Sequence, residues 1–233
     1  MQPPDPRKSL YLFASGRKGS GKSRWCRAWF DDYPFDRIVI DPTGDVKRDL
    51  DRDGVPYQLV DHDVIPTRFP RGDEGQRVTL VYVPDMGSPT AADDMDRVIG
   101  LALDGDDHPV MIWVDEVGSL TTANYTPPNT RRVLHHGRHH GITLLGAAPR
   151  PMDIDGLWIN QADLVATFSL PNPKDRRRVA DNIGADPREF DELVHTECVD
   201  HEYLLYVHND RTLYICPPLP PPRLGVDQHA PVP

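Results

Sequence analysis

The sequence is poor in cysteine and poorer still in positive charge carried by lysine. Its 233 residues include three cysteines, Cys26, Cys198 and Cys216, scattered and odd in number. They have no metal-ligand or redox spacing, which excludes a disulfide framework and a cysteine-based zinc site and points to a reducing, intracellular compartment. No apolar run approaches the roughly 20 residues that cross a bilayer, so direct membrane insertion is excluded. Met1 to Lys8 is polar and Pro-rich and has no signal-peptide core. Lysine occurs at positions 8, 18, 22, 47 and 174 alone, against many arginines, a bias that reflects codon usage in a GC-rich genome. With 36 acidic against 26 basic residues the net charge is −10. That excludes a protein coated in positive charge, while a local basic patch or a ring pore stays open. No internal repeat is visible, and the length suits one large α/β domain.

What is present is concentrated in one stretch, Gly16-Arg17-Lys18-Gly19-Ser20-Gly21-Lys22-Ser23, a complete G-x-x-x-x-G-K-[ST] loop. Its glycines let the backbone curl until successive N–H groups share one concavity that cradles phosphate oxygens. The helix that follows adds its positive end. The spacing assigns Gly16, Lys18, Gly19, Ser20, Gly21, Lys22 and Ser23 to nucleotide binding. Lys22 reaches the β- and γ-phosphates, and the Ser23 hydroxyl ligates Mg²⁺. The context is a strand, Leu10 to Ala14, before the loop and a helix from Ser23 to Phe30 after it.

A second element completes the chemistry. Val110 to Val114 is a continuous apolar strand that ends in Asp115 and Glu116. Adjacent carboxylates there form a Walker B motif of the catalytic-glutamate type. Asp115 holds Mg²⁺ beside Ser23, and Glu116 polarises the attacking water. The long segment between the two motifs implies the P-loop class with an additional strand between the P-loop and Walker B strands, which counts against a small-molecule kinase. Asp41, at the end of the strand Arg37 to Ile40, is either a catalytic-edge carboxylate or a turn cap.

The remaining chain alternates strands and helices. Strands are expected at Tyr57–Val60, Val78–Val83, Ile142–Ala148 and Leu164–Phe168, a solvated helix or loop at 45–53, helices at 91–103, 154–161, 173–183 and 186–195, and a β-hairpin at 203–215. The helix 130–140 carries Arg131, Arg132, His135, His136, Arg138, His139 and His140. A metal site is discounted there because no carboxylate or Cys completes it. A solvated or ring-facing helix and a contact with phosphate both remain. The domain layout is a flexible arm at 1–8, an ATPase domain at 9–216 and a Pro-rich tail at 217–233.

These motifs resemble the FtsK–HerA superfamily of DNA-moving P-loop ATPases. The resemblance spans Leu10 to Ile215 and rests on GRKGSGKS, on IDPTGD (Ile40 to Asp45), on IWVDE, on GRHHGITLLGAAPRP (Gly137 to Pro151) and on INQADLVATFSLPNPKDRRRVADNIG (Ile159 to Gly184). A bare core of this size looks most like the genome-packaging ATPases of tectivirus-like, membrane-containing phages. The resemblance implies ATP and Mg²⁺ as cofactors, a homo-oligomeric ring, usually hexameric, and double-stranded DNA held without sequence preference. It also implies a docking protein such as a capsid-vertex component, and a location in the host cytoplasm or on the virion. Glu116 and Lys22 would be catalytic. A neighbour's arginine finger would be Arg138 or Arg150, with Arg176 to Arg178 as further choices. One position departs from the pattern. Where the family carries a polar sensor, often Gln, this chain has Pro149 after Ala148. A conjugative or other mobile-element ATPase, a nucleotide-dependent scaffold with weak hydrolysis and a small-molecule kinase are the competing functions.

Overall fold

The computed structural model describes residues 9–70, 72, 76–103 and 109–220. The arm at 1–8, the tail from 221 onward and part of the polar loop 68–77 lie outside the described residues. In chain order the elements are β1 (Tyr11–Ser15), α1 (Lys22–Asp32), β2 (Asp36–Ile40), α2 (Asp45–Arg52), β3 (Gln58–Leu59), β4 (Thr79–Tyr82), α3 (Ala91–Gly100), β5 (Val110–Val114), α4 (Pro128–His136), β6 (Ile142–Ala148), α5 (Leu157–Asn160), β7 (Leu164–Thr167), α6 (Pro173–Ile183), α7 (Pro187–Glu197), β8 (Tyr203–Val207) and β9 (Thr212–Cys216).

Strands β1, β5 and β6 are almost wholly apolar, β2 is apolar from Ile38 on after the buried Asp36 and Arg37, and all four are buried along their whole length. That pattern requires a parallel sheet covered on both sides. The strand order is β3-β4-β2-β5-β6-β1-β7-β8-β9, parallel from β3 to β7 and antiparallel through β8 and β9. Side chains alternate across it. Tyr11, Phe13, Ile112 and Val114 face one way, where α3, α4, α6 and α7 bury Met95, Val133, Val179 and Phe190. Leu12, Met111 and Trp113 face the other way, where α1 and α2 bury Trp25, Phe30, Val46 and Leu50.

An additional strand does lie between the P-loop and Walker B strands. It is β6, which pairs with β1 on one side and β5 on the other. The strands that separate the two motifs in sequence, β2, β3 and β4, lie instead beyond β5. The helix expected at 130–140 is shorter. It stops at His136, and Gly137–His140 tightens into a 3₁₀ turn. The helix expected at 91–103 likewise ends at Gly100 and gives way to a 3₁₀ turn at Leu101–Leu103. The start of α4 is fixed from α3, because the buried Asp96 carboxylate accepts from Thr130 N at 2.8 Å, Thr130 Oγ1 at 2.7 Å and Asn129 N at 3.0 Å.

Candidate nucleotide site

Parallel strands deliver their C-terminal ends to one edge of a sheet, where ligands bind in α/β folds. Here that edge gathers the loop after β1, Asp41 after β2, Asp115 and Glu116 after β5, and Pro149 and Arg150 after β6. Backbone bonds tie these ends together: Gly16 N to Ala148 O at 3.4 Å, Asp115 N to Ile40 O at 3.1 Å and Phe168 N to Ser15 O at 2.8 Å.

The P-loop glycines serve two purposes. Gly21 has φ +110°, and a Cβ there would meet Phe168 Cε1 at 3.1 Å. Gly16 lies against the Cβ of Phe168 with no room for a side chain, since its own Cβ would approach to 2.6 Å. Phe168 is therefore the buried support under the loop. Gly19, by contrast, has φ +77° and open space where a side chain would stand. α1 then starts at Lys22 with no side-chain cap and no acidic residue in its first turn, so its first N–H groups are left for an anion.

Lys22 is 8% exposed, and its Nζ donates to Arg17 O at 3.1 Å. Burial lowers its pKa, while the charges of Glu116 and Asp115 work the other way. Ser23, one residue on, is exposed. Asp115 is pushed up to about 7, first by burial and then by the neighbouring Asp41 and Glu116 carboxylates. Its Oδ1 is buried without a hydrogen-bond partner. Burial also raises Glu116, against the pull of Lys22. Asp41 is fully buried and accepts from Lys47 N at 2.7 Å and Thr43 Oγ1 at 3.3 Å. It is thus a turn cap that also charges the edge beside Asp115.

An orphaned carboxylate oxygen crowded by two other carboxylates is a site that a divalent cation would satisfy. Among the described residues no group of three or more His, Cys, Asp or Glu is arranged to hold a metal. A cation held there would draw on one or two protein oxygens, a donor set that suits Mg²⁺ when phosphate and water complete its shell.

The two arginine-finger candidates sit at opposite ends of β6. Arg150 follows the strand at the site edge, is 59% exposed and makes one ion pair with Asp153 at 3.3 Å. Arg138 precedes the strand at the far edge. It donates to Gln161 O at 2.6 Å and Asp163 Oδ2 at 3.1 Å and lies over Tyr11. Arg176 is held by Asp191 at 2.6 Å and by Leu170 O at 2.6 Å, whereas Arg177 is 74% exposed. Phe168 and His201 are contributors that motif reading does not single out. Phe168 reads in sequence only as the end of a strand, and His201 lies in a turn without the glycine that marks such turns.

No family model matches the sequence, and no curated protein matches it at a significant level. Solved structures do share the fold. The genome packaging NTPase B204 from Sulfolobus turreted icosahedral virus 2, in complex with AMPPCP, matches with a TM-score of 0.65 and 20% identity, over 92% of this chain and 100% of its own. VirB4 of Thermoanaerobacter pseudethanolicus gives 0.60 at 10% identity, over 95% and 92%. The pCW3 conjugation coupling protein TcpA, with ATPγS, gives 0.56 at 16% identity, over 91% of this chain and 61% of its own. The fold is that of a P-loop NTPase with an additional strand and a C-terminal antiparallel hairpin, and it is shared with these structures over nearly the whole of this chain. No helix among the described residues is long and apolar enough to cross a membrane.

Proposed function

We propose that this protein is an ATP-hydrolysing DNA translocase that packages viral double-stranded DNA into a capsid, with residues 9–216 as its ATPase domain. The observation that carries the ATPase reading is the orphaned Asp115 oxygen beside Glu116 and the buried Lys22, at the edge where the P-loop ends. In this reading the P-loop N–H groups and Lys22 hold the β- and γ-phosphates. Ser23 and Asp115 would hold Mg²⁺, which supplies charge neutralisation between the phosphates. Glu116 orients a water and takes its proton as the water attacks the γ-phosphorus in line, while the bond from that phosphorus to the β–γ bridging oxygen breaks and ADP leaves with its electron pair. The rest is positioning and electrostatics. Arg150 is the finger that reaches a neighbouring subunit's nucleotide in a ring, usually of six, because at the site edge it is restrained by a single exposed pair with Asp153; such fingers contribute roughly 10³–10⁵ in rate. Arg138 would have to leave three partners to do the same. DNA is gripped through phosphates in the pore, without sequence preference.

The DNA-moving part of the proposal draws support from the fold shared with B204. The fold shared with TcpA, a conjugation coupling protein, supports a second reading, conjugative DNA transfer. The deciding experiment is ATP hydrolysis by the full chain with and without linear double-stranded DNA at low and moderate salt, beside Glu116→Gln. Stimulation that fades with salt and is absent in the variant is the expected result. Hydrolysis that ignores DNA and transfers phosphate to a small molecule would replace the reading with a kinase. ATP bound but never hydrolysed would favour the scaffold.

A further inference from the structure

A cavity of about 320 Å³ opens at the P-loop, with neither Asp115 nor Glu116 in its lining. Its inner wall is Gly19, Gly21, Lys22, Ser23 and Arg24, from the P-loop into the start of α1. Its outer wall comes from two places far apart in sequence, His201 and the pair Pro218–Leu219. Its base is Phe168, which stacks on Tyr203 with ring centroids 4.9 Å apart and planes 26° apart. Leu219 is half-buried against the same cluster that holds Phe168 and Tyr203. The chain after β9 thus turns back over the nucleotide edge. Gly21 and Ser23 belong to the phosphate loop, so the cavity is continuous with it, whereas His201, Pro218 and Leu219 have no part in the phosphate chemistry.

His201 reaches this wall through an uncommon backbone. Val199 to Glu202 is a tight turn closed by Glu202 N to Val199 O at 2.8 Å, with φ +37° at Asp200 and +76° at His201. Two successive positive φ values are the type I′ geometry, which Asn-Gly satisfies with little strain and Asp-His does not. Strain of this kind persists where a side chain is needed in a particular place. Here it brings His201 Nδ1 within 3.7 Å of where a Gly21 Cβ would stand.

We propose that this cavity is the nucleoside end of the site, with His201 and Leu219 forming the walls against which the base packs. The proposal rests on the nucleotide-binding reading above and deepens it. It makes the first residues of the Pro-rich segment part of the binding site. The walls are an imidazole and aliphatic groups over an aromatic base, so the base is held by stacking and apolar contact. Base–aromatic stacking alone corresponds to roughly 5- to 150-fold in affinity.

The test is calorimetric titration of the full chain with Mg²⁺·ATP and, separately, with Mg²⁺ and inorganic tripolyphosphate, which has the phosphates and lacks the nucleoside. The variants are His201→Gly and Leu219→Ser. Each should weaken ATP about tenfold and leave tripolyphosphate unchanged. Gly is at ease at φ +76°, so His201→Gly should also raise the melting temperature by about 2–4 °C. A variant more stable than wild type yet weaker for ATP alone is an outcome that a purely structural His201 does not produce. Unchanged ATP affinity in both variants would overturn the proposal. Equal loss of ATP and tripolyphosphate would also overturn it, because these residues would then act by shaping the P-loop. Wild-type protein that binds neither ligand would bring down the phosphate-site reading itself, and the nucleoside site with it.

Discussion

The guanidinium carbon of Arg138 lies 3.9 Å from the centre of the Tyr11 ring. Tyr11 opens β1, and Gly16 begins the P-loop at its other end, so the pair sits about 16 Å from the phosphate edge at roughly 3.3 Å per residue. The Tyr11 hydroxyl donates to Val133 O and accepts from Arg138 N at 3.1 Å. Asp163 joins the group by accepting from Tyr11 N at 2.8 Å and from Arg138. This cluster clamps the starts of β1 and β7 to the turn before β6. It gives Arg138 a structural role that Arg150 lacks.

Arg138→Ala and Arg150→Ala should therefore separate. The first removes a ring contact, a carboxylate partner and a carbonyl bond, and should cost about 1–3 kcal/mol in denaturant unfolding. The second breaks one exposed pair and should cost less than about 1 kcal/mol. In rings mixed with Lys22→Ala subunits, Arg150→Ala should show partial rescue of hydrolysis, as a group acting in trans requires. Equal stability loss in the two variants would remove the structural distinction.

Burial pushes Tyr11 from 10.0 up to about 12. The protonated phenol is favoured in the folded state, so this contribution is complete below pH 10 and drains away as pH rises from 10 through 12. Tyr11→Phe should lower stability at pH 8 by about 1 kcal/mol for its lost hydrogen bond. It should also flatten the alkaline fall measured by chemical denaturation between pH 10 and 12. Tyr203, also raised to about 12, keeps part of that fall in the variant.

Lys22 is a buried cation whose main intramolecular reward is one carbonyl, and burial works against its charge. Lys22→Met should keep the packing of its stem and raise nucleotide-free stability by about 1 kcal/mol while abolishing tight ATP binding. A fall in both would mean that the ammonium stabilises the loop in the absence of phosphate.

Glu116→Gln keeps the shape of the side chain and removes the proton acceptor. Turnover should drop by roughly 10²–10⁴-fold with ATP affinity preserved, measured as single-turnover hydrolysis beside equilibrium binding. Unchanged turnover would take Glu116 out of the mechanism.

Pro149 stands directly after Ala148, whose carbonyl meets the N–H of Gly16. A side-chain amide at that position would enter the phosphate edge. Pro149→Gln should raise the hydrolysis rate about tenfold or more if one preorganised donor is what the edge lacks. No gain would assign the sensing role to another group, with Arg150 as the first to test.

The proposed phosphate half of the site could be put forward from the sequence because its chemistry is local. Eight consecutive residues build the P-loop concavity, and two consecutive carboxylates end a strand whose apolar run declares it buried. The finger candidates were half legible. Arg138 precedes β6 and Arg150 follows it, so in any parallel strand of seven residues they must leave at opposite edges. Which strand fills the gap between β1 and β5 is a matter of crossover, a non-local choice that nothing in the intervening sequence encodes. The outer wall of the nucleotide edge was hidden for the same reason. His201 and Leu219 come from separate returns of the chain, one through a turn that lacks its usual glycine. Local backbone and side-chain chemistry set where phosphate would bind. Only the packing of α7, β8 and the segment after β9 against β7 decided what stands beside it, because that packing is governed by buried area summed over distant residues.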